Sequence, residues 1–210
     1  MKKHIAYLCA DPGIPVYGNK GASIHVQNII RAFIRAGHRV TLFANRIDGT
    51  PPQGLETVHL VPLPAPPKGD NETRARAILA AHDTITAAIA AHAPYDLLYE
   101  RYSLWSDIGM RYAEAAGIPS VLEVNAPLID EQRPRGELVL PAEAETIAKS
   151  AFSRARELIA VSPGVAAYLK NWPHRRITTL ANGVEPQTFA AALPIRAARR
   201  DGETRIGFLG

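Results

Sequence analysis

The chain has 210 residues, 47% of them hydrophobic and 21% charged, with a net charge of +4 and one cysteine. That is the balance of a globular protein with room for one core, or one core and part of a second. It excludes an internal disulfide and a run of the ~20 apolar residues that a membrane helix needs, and it leaves no basic stripe with interleaved aromatics for nucleic acid.

The opening MKKHIAYLCADPG has the outline of a secretion signal. Its apolar run is too short and breaks at Asp11-Pro12, so His4–Cys9 reads as a first strand. Cys9 within it reads as a buried thiol in a reducing, cytoplasmic setting. A glycine-punctuated loop follows, then a helix whose apolar stripe is Val26, Ile29, Ile30 and Phe33; His25, Asn28, Arg31 and Arg35 lie off that stripe, and Gly37 ends the helix. Further strands are predicted at Arg39–Ala44, Thr57–Val61, Tyr95–Tyr99, Pro119–Val124, Glu157–Val161 and Arg176–Leu180. Further helices are predicted at about Glu72 to Ala91, Leu104 to Ala116 and Glu137 to Arg154, and from Ser162-Pro163 onward. The Pro-rich run from Val61 to Pro67 is an extended connector. Continuous apolar strands alternating with helices predict an α/β fold, a Rossmann-like open parallel sheet covered on both faces.

From Glu185 to Glu203 the chain is rich in Ala, Pro and Arg without a core pattern, and RIGFLG then resembles another buried strand. The expected organisation is a domain over 1–184, a linker over 185–203 and the first strand of a second domain over 204–210. Arg196, Arg199 and Arg200 read as part of a solvated linker, or as a basic segment drawn to the anionic inner face of a membrane.

Ligands of open parallel sheets bind beyond the carboxyl ends of the strands. Polar residues gather there: Asp11 and the glycine loop, Glu100 and Arg101, Glu123 and Asn125, Ser162, then Asn182-Gly183. Gly18 and Gly21 ahead of a helix N-terminus make an anion site, or only a turn that packs the helix. Glu100 and Arg101 form a surface ion pair or take a functional role. Glu123 accepts from loop amides or meets substrate; Asn125 caps a turn or does the same. His25 is solvated or touches ligand. Ser162 reads as a helix cap, and Asn182 as a turn residue. No zinc-ligand spacing, GxSxG elbow, GxxxxGK[ST] loop or GxGxxG fingerprint is present, and Asn45-Arg46 stands where a dinucleotide-binding strand would end in a carboxylate.

The segment GNKGASIHVQNIIRAFIRAGHRVTLFA resembles the opening of family 4 glycosyltransferases of the GT-B fold, with their Gly-Gly-x-x-x-His-Val and GH-x-V-T patterns. YDLLYERYSLWS, GIPSVLEVNAPL, ELIAVSPGVAAYL, ANGVEPQTF and RIGFLG agree in the family's order. The resemblance implies a two-domain enzyme that uses a nucleotide-sugar donor and an acceptor, retains configuration, and has no strict need for a metal or a resident cofactor. This chain would be its acceptor-side half, with the C-terminal domain missing or supplied by a complementing subunit, and weakly active or inactive alone. Gly18 and Gly21 match the phosphate-facing loop, His25 the motif histidine, and Asn182 the loop before the hinge. Asn19-Lys20 interrupts the glycine pair, and Lys20 adds charge to the phosphate site. Many relatives carry a histidine after the fifth strand; here Glu123 and Asn125 occupy that catalytic location. A non-enzymatic binding half that pairs with another subunit, and a nucleotide-sugar epimerase, are the competing readings.

Overall fold

The computed structural model describes residues 1–183. Seven strands form one wholly parallel sheet: β1 His4–Cys9, β2 Arg39–Ala44, β3 His59–Pro62, β4 Leu97–Arg101, β5 Ser120–Val124, β6 Glu157–Ala160 and β7 Ile177–Thr179, in the order β3-β2-β1-β4-β5-β6-β7. The helices are α1 Gly21–Arg35, α2 Asn71–Ala80, α3 His82–Ala91, α4 Ile108–Ala116, α5 Leu128–Gln132, α6 Pro141–Arg154 and α7 Pro163–Leu169. This is the Rossmann-like α/β architecture expected from the sequence. The predicted linker and the strand RIGFLG fall outside the described residues.

Strand side chains alternate between two cores. Ile5, Tyr7, Cys9 and Tyr99 pack under Val26 and Ile30 of α1. Leu8, Leu98, Leu122 and Leu158 pack under the other helices, through Ile85, Ile108 and Phe152. Both faces are therefore covered, which is why the strands read as continuous apolar runs.

Several boundaries differ from the sequence reading for identifiable reasons. The fourth strand begins two residues later than expected, because its register against β1 runs from Ile5↔Leu97 to Cys9↔Arg101. Tyr95 precedes it, and Asp96 is fastened to His4, whose amide it accepts at 2.8 Å. The long second helix divides at Ala81, and its start is capped by Asp70, which accepts the Thr73 amide. The third helix begins at Ile108; residues 104–107 are loop, and Trp105 there has φ 59. The fourth begins at Pro141, in the first-turn position that proline tolerates. Ser162 does cap α7, accepting the Val165 amide at 3.2 Å, and Gly117 ends α4 with φ 67.

Candidate functional site

Because every strand is parallel, all carboxyl ends lie along one edge of the sheet. The chain runs from β1 outward to β2 and β3, then crosses back to place β4 on the other side of β1. The loops leaving β1 and β4 therefore diverge, and a crevice opens between them. A cleft of ≈ 390 Å³ occupies it, lined among others by Asp11, Gly13, Arg74, Ser103, Trp105 and Gln132.

The loop after β1 is anchored before α1 begins. Asp11 accepts the Gly13 amide at 2.7 Å. The amides of Val16 and Tyr17 donate to Arg46 and Ile47 of the loop after β2. Gln27 of α1 reaches back and donates to the carbonyls of Val16 and Gly18. Gly18 closes a turn onto Pro15 (N···O 2.8 Å), and a Cβ there would stand 2.8 Å from Pro15 Cγ and 3.0 Å from its carbonyl oxygen. The turn itself thus demands this glycine. Gly21 differs: a Cβ would meet nothing within 4 Å. It begins α1, preceded by the exposed, extended Lys20, with no acidic residue in the first turn. The first intrahelical amide is that of Ile24, bonded to Lys20 O. The amides before it form a positive end, exposed at Gly21 and buried by Ser23.

Behind this end lies a buried polar cluster. Glu123, 1% exposed, accepts from His25 Nε2 at 2.6 Å, from Asn125 Nδ2 at 2.6 Å and from the Tyr99 hydroxyl. Arg101 Nη1 stands 3.5 Å from the same carboxylate. The register explains the meeting: Arg101 lies directly opposite Glu123, and Tyr99 is two residues earlier on the same face. Burial pushes the Glu123 carboxyl up, but the hydrogen bonds and charge of its donors outweigh that and hold it below the ordinary glutamate value. An ionised carboxylate only accepts, so His25 carries a proton on Nε2; its Nδ1 is buried without a partner among the described residues. Cys9, buried on the same face, has its thiol pushed up to about 12 by burial, which keeps it protonated.

The sequence-predicted residues are thus sorted by the structure. His25 is neither solvated nor off the buried face; it is 7% exposed, because Glu123 gives it an acceptor beneath α1. Glu123 accepts from side chains, not loop amides. Glu100 and Arg101 are not a surface pair: one residue apart on a strand, they face opposite cores. Glu100 is wholly buried on the α4 side, where it accepts from Ser106 at 3.1 Å. Burial pushes its carboxyl up to about 8, against the opposing pull of the Ser106 hydroxyl and the Met110 and Gly109 amides. Asn125 is half-buried beside Glu123, and Asn182 is exposed beyond β7 at the same edge. Sequence reasoning missed Tyr99, which the i, i+2 spacing to Arg101 could have flagged. It also missed Arg74, Ser103 and Trp105, which only the cleft brings together. No group of three or more His, Cys, Asp or Glu with metal-holding geometry occurs among the described residues, nor does a helix long and apolar enough to cross a membrane.

The chain belongs to Glycosyltransferase Family 4, whose family model matches residues 19–188. No curated protein matches it in sequence. Among solved structures it is similar in fold to sucrose-phosphate synthase from Thermosynechococcus elongatus, at TM-score 0.55 and 18% identity over 89% of this chain and 49% of that one. It is similar to Anabaena HepE in complex with UDP-glucose, at 0.57 and 15% over 89% and 46%. It is also similar to MurG of Acinetobacter baumannii, at 0.50 and 14% over 87% and 47%. The chain spans about half the length of these three structures.

Proposed function

We propose that this member of Glycosyltransferase Family 4 is the N-terminal, acceptor-side half of an enzyme that transfers a sugar from a nucleotide-diphosphate sugar to an acceptor hydroxyl, with retention of configuration. In that transfer the bond from the sugar carbon to the diphosphate oxygen breaks and the electron pair leaves with the diphosphate. The acceptor oxygen bonds to the same carbon and gives up its proton, which balances the leaving group. The observation that carries the reading is the switch-point cleft, which shares the carboxyl edge with the open N-terminus of α1.

Negative charge develops on the diphosphate as it leaves. Amides of the first turn of α1, its dipole and the Lys20 ammonium offset that charge, so the step drawn here does not strictly require a metal. Gly21 matters because its missing side chain keeps the approach open. Glu123 is already engaged with His25, Asn125 and Tyr99. It and Asn125 therefore act as positioning residues: they hold the first turns of α1 against β5 rather than touching the reacting atoms. In this reading the acceptor-side domain spans 1–184, the linker 185–203, and the start of the donor-side domain 204–210.

The test is turnover of UDP-sugar and other nucleotide-sugar donors by this chain alone and with a C-terminal half from a family member. Turnover only when both halves are present is the expected result. Robust turnover by the chain alone refutes the division of labour, and none with either refutes the transferase reading. The non-enzymatic alternative, a half that pairs with a separate subunit, draws on the exposed apolar Ile24 and Leu180; it predicts a stable complex in gel filtration and no donor turnover.

A further inference from the structure

The cleft at the switch point continues toward β2 and β3. Arg74 and Pro12 line both it and an adjoining depression of ≈ 330 Å³, whose other walls include Asn45, Arg46, Pro66 and Lys68. The charges around the joined space are unevenly distributed. The β2–β3 depression is lined by Arg46 and Lys68 and by no acid, the cleft by Asp11 and, on the exposed lip, Glu137; Arg74 stands where the two join.

Two of the three cations are uncommitted. Arg46 is turned to Asp48, at 2.6 Å. In α2, Arg76 is paired with Glu72 one turn away. Arg74 has no such partner: the acid four residues before it is Asp70, which accepts the Thr73 amide as the helix cap. Neither Arg74 nor Lys68 has an ion-pair partner among the described residues. Arg74 lines both spaces with no acid paired to it, and its planar fork of donors suits an oxyanion. At the other end Asp11 uses one oxygen on the Gly13 amide and keeps the second for a donor. Ser103 and Trp105, 2% and 9% exposed, belong to the same wall, and Ser103 Oγ and Trp105 Nε1 have no hydrogen-bond partner among the described residues.

We propose that the acceptor taken by this cleft is a hydroxylated ring that carries a phosphate ester, with Arg74 and Lys68 receiving the phosphate and the Asp11–Ser103 end receiving the hydroxyls. The proposal rests on the glycosyltransferase reading and adds the acceptor's chemical class and orientation. Asp11 and Glu137 repel an anion from their end, and Arg74 and Lys68 attract it to theirs, so the ring enters in one sense and presents a hydroxyl at the switch point. A volume of ≈ 390 Å³ is within the range of small-molecule sites.

The test is binding to the 210-residue chain, followed by backbone amide shifts in NMR titrations with glucose, glucose 6-phosphate and inorganic phosphate. A further arm measures co-sedimentation with phosphatidylcholine vesicles with and without phosphatidylinositol. Each arm compares the native chain with Arg74→Gln, Arg74→Lys and, as a charge control away from the cleft, Lys149→Gln. Glucose 6-phosphate or phosphatidylinositol vesicles should bind at least about tenfold more tightly than the probe lacking the phosphate. R74Q should bring the two to parity while the thermal midpoint stays unchanged, R74K should retain part of the preference, and K149Q all of it. The arm that shows the preference tells a soluble phosphosugar from a lipid headgroup. Equal binding of the phosphorylated and unphosphorylated probes, a preference that survives R74Q, or no saturable binding in any arm would overturn the proposal. Donor turnover onto neutral acceptors, unaffected by R74Q, would overturn it while leaving the glycosyltransferase reading intact. Phosphate selectivity at Arg74 without donor turnover would do the reverse.

Discussion

Replacing Glu100 by glutamine should make the protein more stable at neutral and alkaline pH. Glu100 is wholly buried, and its carboxyl is raised from 4.5 to about 8, mainly by burial. Between those values the folded state holds a proton that the unfolded state has lost, so stability falls as pH rises through the interval and levels off above it. At ~1.36 kcal/mol per tenfold change in proton affinity, the interval amounts to a penalty on the order of 5 kcal/mol at its alkaline end. Glutamine has no proton to lose and keeps an oxygen for the Ser106 hydroxyl, so it escapes the penalty. Urea unfolding of both proteins from about pH 4.5 to about pH 9 would measure it, because the difference between the two curves cancels the other titrating groups. The difference should be near zero at the acid end and grow steadily to about pH 8. A difference that is flat with pH, or that shrinks as pH rises, would refute the argument.

His25→Ala should cost about 2–3 kcal/mol in urea unfolding, because it removes a hydrogen bond to an ionised group and leaves part of the Glu123 carboxylate buried and unpaired. The Glu123 carboxyl, held low in the folded state, contributes stability at neutral pH that is lost on acidification; in H25A that loss should begin at higher pH, and an unchanged acid limb would refute the assignment. Gly18→Ala drives a Cβ to 2.8 Å from Pro15 Cγ and 3.0 Å from Pro15 O, and should destabilise by about 1–3 kcal/mol in thermal or urea unfolding. Gly21→Ala meets nothing within 4 Å and should leave stability unchanged or raise it by up to ~1 kcal/mol. If the first turn of α1 receives the donor phosphates, G21A should still slow donor turnover by the paired halves; full turnover would remove Gly21 from the site.

Composition, apolar runs and turn residues determined that this is a parallel α/β sheet, where α1 and α4 stop at Gly37 and Gly117, that Ser162 caps α7, and that the polar residues gather at the carboxyl edge. Those are local properties: a strand's period, a cap's hydrogen bond and a glycine's positive φ are each set within a few residues. The faces of Glu100 and Arg101 were decided elsewhere, by the pairing of β4 with β1, where a shift of two residues moves both side chains from the loop into the sheet and alternation sends them to opposite cores. The burial of His25 was decided by Glu123, 98 positions away, and the meeting of Arg74 with Asp11, Ser103 and Trp105 by the packing that forms the cleft. Whether a polar side chain can be buried depends on the partner that folding brings to it, and that partner is set by long-range packing rather than by the residue's own neighbourhood in the chain.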